Sequence, residues 1–494
     1  MSRIRAPRFV RTLRHAAWTG LVGASLFASG CSSEDPAEVA KRHIEKGDQY
    51  AAKGEMASAV IEYRNAVQVA TGHGVARQKL ADAYVKTNNL KGAYEQYIRA
   101  ADAMPNNAEA QIQAAEILLV ARQYEDAQAR AEKAIALDPK SAKALILRGQ
   151  AMAGMKNLDG AVTEIEQAIK LDPGQAMGYA NLGALQLAQG RKDEAEAAFK
   201  QAVAADPQNI QALLALGSFY FSTGRRVEAK AQVQRAVKIE PANIQANRAL
   251  AVFALAEGKP QEAEPYLIAM TEAAKSPAAR MVLADYYIGM RRYPDARTIL
   301  NALTADEATF VAAKVRLAGI EATDNKYPEA HRFLDEAIAR NPKAVEALVL
   351  RGRLQLAQNQ RDPAVTTLEE ATRVAPEDAS AWFWLGRAYA SVRKSTDAAR
   401  AYQEVLKLAP NATIAQFELA RVQLSLGQAE IAVQYARQVL AAAPDNAEAR
   451  SIVVRALVMQ GNGAAAETEL KPLLDKFPKN PTVRSLAAAV ALAK

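Results

Sequence analysis

Small apolar residues return along this chain in a register of 34 residues. An alanine stands at the same place in thirteen successive segments: Ala59, Ala93, Ala127, Ala161, Ala195, Ala229, Ala263, Ala296, Ala330, Ala364, Ala398, Ala432 and Ala466. Twelve residues after ten of them comes a proline, in two runs: Pro105, Pro139, Pro173, Pro207 and Pro241, then Pro342, Pro376, Pro410, Pro444 and Pro478. Twelve residues before several of the alanines the chain carries glycine, at Gly149, Gly183, Gly217, Gly352 and Gly386. Such a period predicts stacked helix-turn-helix units, with a glycine in the first helix and the series alanine in the second. Small residues let two antiparallel helices approach closely, and larger ones such as Leu182, Leu216, Leu385, Tyr220 and Tyr389 fill the space around the contact. The proline stops the second helix, because it has no N–H and its ring clashes with the preceding turn. Asn107, Ser141, Asn209, Asn243, Asp378, Asn446 and Asn480 then stand where the next helix needs a cap.

These residues resemble the tetratricopeptide repeat family. Its consensus is met by Tyr179, Leu182, Gly183, Gly190, Ala195, Phe199, Ala202 and Pro207, and again by Trp382, Leu385, Gly386, Tyr389, Ala398, Tyr402 and Pro410. The resemblance implies an all-α, right-handed superhelical solenoid of about thirteen units, with units 1–7 over 40–276, units 8–13 over 277–480, and a capping helix over 481–494. One seam breaks the register. The unit Ile244–Ser276 is one residue short, and Lys275 and then Ala308 stand where prolines are due. That seam is either a hinge or a deletion absorbed in a surface turn.

The first 30 residues read differently. Arg3, Arg5, Arg8, Arg11 and Arg14 precede an apolar run, Ala16–Phe27, which is the layout of a secretory leader and too short to span a bilayer. It ends at Cys31, the only cysteine of the chain. This is similar to the lipobox of bacterial lipoproteins, except that Ala28 stands where leucine is usual. It implies a lipidated Cys31, a short linker over 31–39, and, with Ser32 following, retention at the periplasmic side of the outer membrane of a Gram-negative bacterium. The alternative is an ordinary secreted protein with a stray cysteine.

Charge changes the picture little. The net charge of +8 falls to +3 once the five leader arginines are removed, leaving 57 basic against 54 acidic residues, so the basic balance is no argument for nucleic acid. His43, His73 and His331 lie in different units without metal-ligand spacing, and no phosphate loop is present. The expectation is a protein that is not an enzyme and has no cofactor.

In the resembled family the first helix of each unit lines the concave side. The residue after the small position reads Asp48, Asp82, Glu116, Gln150, Ala184, Ser218, Val252, Asp285, Gly319, Arg353, Arg387, Arg421 and Arg455. The groove is thus expected to be acidic at Asp48, Asp82 and Glu116 and to carry a ladder of four arginines at the other end, with Phe383 and Phe417 as stacking surfaces. Arginine forks suit carboxylates and phosphates. The ladder reads either as a site for an anionic polymer or acidic peptide, or as arginines that stay solvated or pair with Glu346 and Glu448 on adjoining helices. The lysine–asparagine clamp of chaperone-binding relatives is absent. The resemblance extends to lipoproteins of exopolysaccharide export and exosortase-type systems. It implies a membrane-anchored scaffold with protein partners in the cell envelope. The alternatives are an anionic polysaccharide-binding module and a pilus or outer-membrane assembly factor.

Overall fold

The computed structural model describes residues 35–494; the leader, Cys31 and the first linker residues lie outside them. Among the described residues the chain forms twenty-seven helices, from Pro36–Ala52 to Pro481–Leu492, and no strand. Thirteen helix pairs precede one final helix. A typical pair is Ala142–Gly154 followed by Leu158–Leu171. The pairs belong to two compact units, one ending at Leu216 and the other running Gly217–Lys494. The division falls inside the helix Ile210–Ser222, away from Ser276–Pro277.

Many helix starts and stops have a local cause. All seven capping residues read from the sequence accept a backbone N–H at a helix start, among them Asn107 from Ala110 at 3.0 Å, Asp378 from Ala381 at 2.8 Å and Asn446 from Ala449 at 2.9 Å. Second helices end two residues before the periodic proline. The residue between is held extended, as at Asp138 (φ −136°, ψ 92°) and Glu240 (φ −130°, ψ 91°), which is what a following proline demands. In four of the ten units with this proline its carbonyl is then taken up by the side chain six residues on. Asn247 donates to Pro241, Trp382 to Pro376 and Arg450 to Pro444 at 2.8 Å, and Gln416 to Pro410 at 2.9 Å. The turn inside every pair passes through a residue with positive φ. Six of these are glycine; Arg122, Lys156, Arg291 and Arg393 occupy others at a steric cost of about 1–2 kcal/mol each.

Packing within a pair rests on one recurring contact. The small residue of the first helix faces the side chain sixteen positions later. A Cβ added to Gly386 would meet the Tyr402 ring at 2.6 Å; on Gly352 it would meet Leu368 at 2.5 Å, and on Gly183 Phe199 at 2.9 Å. The thirteen series alanines are all at 0% exposure. Tyr402, also fully buried, has a hydroxyl without a hydrogen-bond partner among the described residues, and burial pushes its ionisation far up.

At the seam, the connection shrinks to Lys275 and Ser276, where other pairs are joined by four residues such as 104–107. Lys275 takes the left-handed conformation (φ 47°), Ser276 caps the next helix through Ala279 N–H, and Pro277 occupies its first turn. The following connection, 304–309, is longer. One buried cluster runs across the seam, from Leu267 and Met270 to Leu283, Tyr287 and Leu300.

Two glycines give opposite expectations. Gly386→Ala forces the Tyr402 ring to move and should cost roughly 1–3 kcal/mol in denaturant unfolding. Gly319→Ala adds a methyl where nothing lies within 4 Å in a helix interior, and should stabilise by about 0.5–1 kcal/mol.

Candidate first-helix groove

Within Gly217–Lys494, four first helices, Pro277–Gly289, Phe310–Thr323, Val345–Ala357 and Ala379–Ser391, present one face to a groove of about 1160 Å³. Three rows of side chains line it, each advancing from one first helix to the next. The central row is Asp285, Gly319, Arg353 and Arg387. One turn before it stand Arg316, Leu350 and Trp384; one turn after it, Ile288, Ala322 and Leu356.

Neighbouring first helices interlock by a fixed offset. A central residue reaches the side chain 31 positions later. Asp285 accepts from the Arg316 fork, Nε–Oδ1 2.5 Å and Nη2–Oδ2 3.0 Å. The bond to Asp285 raises the Arg316 guanidinium above its usual range, against the opposing effect of burial. Arg353 has no acid at that offset. Its guanidinium carbon lies 4.8 Å from the centroid of Trp384, and that of Arg387 lies 5.0 Å from the same ring. Trp384 is half-buried, braced edge-on by Phe383 at 5.7 Å. Among the described residues no ion pair reaches Arg353, Arg387 or Arg455, and all three are exposed. At one end the groove therefore holds a satisfied ion pair; at the other it offers two guanidinium groups around one indole, an arrangement suited to a carboxylate carried beside apolar or planar surface.

The remaining expected site residues fall elsewhere. Arg421 is exposed but pairs with Glu418 on its own helix, and neither it nor Arg455 lines this groove. Phe383 and Phe417 do not serve as stacking surfaces for the arginines. Phe383 packs inward against Tyr402, at 5.9 Å between rings, and Phe417 against the buried cluster around Val453; the ring under the arginines is Trp384. Glu346 lines the groove without an ion pair to Arg353. Trp384 and Arg316 were not singled out in the sequence, although both stand three residues before a central position, where a helix places its next side chain on the same face.

In the unit ending at Leu216, the acidic positions are already engaged. Asp48 accepts from Lys79 Nζ at 2.8 Å, again 31 positions on, and from the Tyr63 hydroxyl at 2.7 Å. Tyr97 donates to Asp82 at 2.6 Å, and Lys143 pairs with Glu116 at 2.9 Å. Burial pushes the Asp48 carboxyl up, but the bonds from Lys79 and Tyr63 outweigh it and hold the group below its ordinary value. No cluster of metal-ligating side chains occurs among the described residues.

The chain matches a family model described as Cilia and flagella-associated protein 70 C-terminal domain over residues 15–285 and Tetratricopeptide repeat models over 281–345, 321–362, 349–413, 387–447 and 426–490. The first match alone covers more than half of the chain, and the chain belongs to the tetratricopeptide repeat proteins. Similar solved structures include yeast Tom70, with 14% identity over 91% of this chain and 99% of that chain and a TM-score of 0.44. A tetratricopeptide repeat protein from Parabacteroides merdae shows 16% identity over 50% and 98% of the two chains, with a TM-score of 0.40. For pilF of Pseudomonas aeruginosa the values are 20%, 44%, 98% and 0.33. No curated protein matches the chain.

The Asp48 contacts give a pH dependence of known sign. With the folded carboxyl below an unfolded value of about 3.9, the contribution is complete above that pH and is lost as pH falls through the folded value. The carboxylate is 45% exposed, so the effect should stay under about 1 kcal/mol. Asp48→Asn should flatten acid unfolding in that window when unfolding is followed by circular dichroism.

Proposed function

We propose that this chain is a non-enzymatic scaffold that holds a partner protein of the cell envelope on the first-helix face of Gly217–Lys494. The observation that carries the reading is the pair Arg353 and Arg387 around Trp384: two exposed cations without a carboxylate partner, set on a groove that several repeats build together. An unpaired fork beside an aromatic ring is the kind of site that becomes an interface anchor. Tetratricopeptide repeat domains bind protein partners, which supports the same reading.

The scaffold is tethered by a lipid on Cys31 at the periplasmic side of the outer membrane and serves envelope or exopolysaccharide assembly or export. The leader layout and the position of Cys31 support the tether. No helix among the described residues is long and apolar enough to cross a membrane. A second reading has one observation in its favour. An exposed indole face with two guanidinium groups also suits the sugar face and carboxylate of a uronate-rich polysaccharide.

Two measurements test this. Labelling with radioactive palmitate and fractionation of the envelope should show Cys31→Ser unlabelled and released from the membrane; a variant that stays membrane-bound, or a wild type that takes no label, contradicts the tether. Affinity capture from native envelopes should recover one protein from the wild type and lose it from Arg353→Ser/Arg387→Ser. A capture that recovers uronate-rich polymer instead, with salt-sensitive retention, favours the second reading.

A further inference from the structure

The three rows of the groove continue onto the preceding first helices, where their character changes. Val252, on the helix Ile244–Ala256, holds the central position that Asp285 holds in the groove. Phe221 and Leu255 stand in the row of Ile288, and Val282 in the row of Arg316. All four are well exposed: Phe221 50%, Val252 51%, Leu255 46% and Val282 47%. Phe221 is held in place edge-on against Phe253, with ring centroids 5.6 Å apart. Large side chains left in water on the same face of successive first helices make an apolar stripe, the kind of exposed patch that marks a contact surface. The stripe lies on the same face as Asp285 and Ile288, and so runs into the groove that ends at Arg353, Trp384 and Arg387.

From this continuity we infer that the partner contributes a single segment with a built-in polarity: apolar side chains that cover Phe221, Val252, Leu255 and Val282, followed along the groove by carboxylates that reach Arg353 and Arg387. This rests on the scaffold reading and deepens it. Charge complementarity selects the acidic end, because Asp285 is already neutralised by Arg316 while no ion pair among the described residues reaches Arg353 or Arg387; Glu418, at the same offset from Arg387, is paired with Arg421, and Glu346 lines the groove without bonding to either. Both guanidinium carbons lie about 5 Å from one ring centroid, so they stand within about 10 Å of each other, close enough for neighbouring acidic residues of one segment. First helices spaced by about 10 Å put the stripe and the arginines within reach of about fifteen extended residues. A basic segment is rejected at one end and a wholly polar one leaves the stripe uncovered.

The test is selection from a random peptide-display library on the full chain in detergent, with intrinsic tryptophan fluorescence, from Trp382 and Trp384 of the groove helix and Trp18 of the leader, as the binding signal for the peptides obtained. The expected winners carry an apolar cluster and an acidic cluster in one order. Their affinity should fall about tenfold or more in Arg353→Glu/Arg387→Glu and, separately, in Val252→Asp/Leu255→Asp. Added salt should weaken binding through the arginines alone, and replacing the peptide's acids by lysines should restore binding to Arg353→Glu/Arg387→Glu, which also shows that this variant is folded. Peptides that bind the groove without acidic enrichment, or that ignore both pairs of substitutions, overturn the inference and leave the scaffold reading standing. If no peptide is selected while polygalacturonate binds, both fail.

Discussion

The whole structure depends on how closely two antiparallel helices can approach within a pair. A glycine or alanine in the first helix leaves room for a side chain sixteen residues later, and the series alanine beside it is sealed from solvent in every unit. That contact fixes the separation of the pair and its rotation about the helix axes. Rotation in turn decides which residues of the first helix remain outside. Asp285, Gly319, Arg353 and Arg387 are exposed to a groove because the residue before each is held against the partner helix. A shift of one residue in this register would carry the arginines into the core, where an unpaired charge is strongly unfavourable. The groove is thus a by-product of core packing, on which the polar positions are free to vary.

Local rules made most of the fold legible in the sequence. Caps such as Asn107 and Asp378, the prolines, and the series alanines act within a few residues of themselves, so their spacing alone predicts helix ends and the buried face. The seam shows the same economy. Where Lys275 replaces a proline, a left-handed residue, a serine cap and a proline in the first turn of the next helix shorten the connection, and the core continues across it.

The site was legible only in part, for a physical reason. Its decisive contacts join residues 31 positions apart, and reading three or four residues to either side along one helix does not find them. Asp48 with Lys79, Asp285 with Arg316, and Arg353 with Trp384 are one geometric relation carrying three kinds of chemistry. The first two cancel charge between neighbouring units. The third leaves it available, because an indole stabilises a guanidinium without neutralising it. Phe383 lies one turn before Arg387 and was expected beneath it, yet the helix turns Phe383 inward to Tyr402 and leaves its neighbour Trp384 outside. Arg421 belongs to the same ladder, and its pairing was legible: Glu418, three residues before it, is the one acid within helical reach of the four arginines, and it holds Arg421.

The central claim is that the face around Trp384 is where this chain holds a protein. The most direct measurement is site-specific photocrosslinking in native envelopes, with a photoreactive amino acid at the exposed groove position Ala357 and the same residue at Glu430 on a second helix as a control. The account predicts one discrete crosslinked protein from position 357, absent from the control and lost when Arg353 is changed to serine. Identical products from both positions, or no product from position 357, would contradict it.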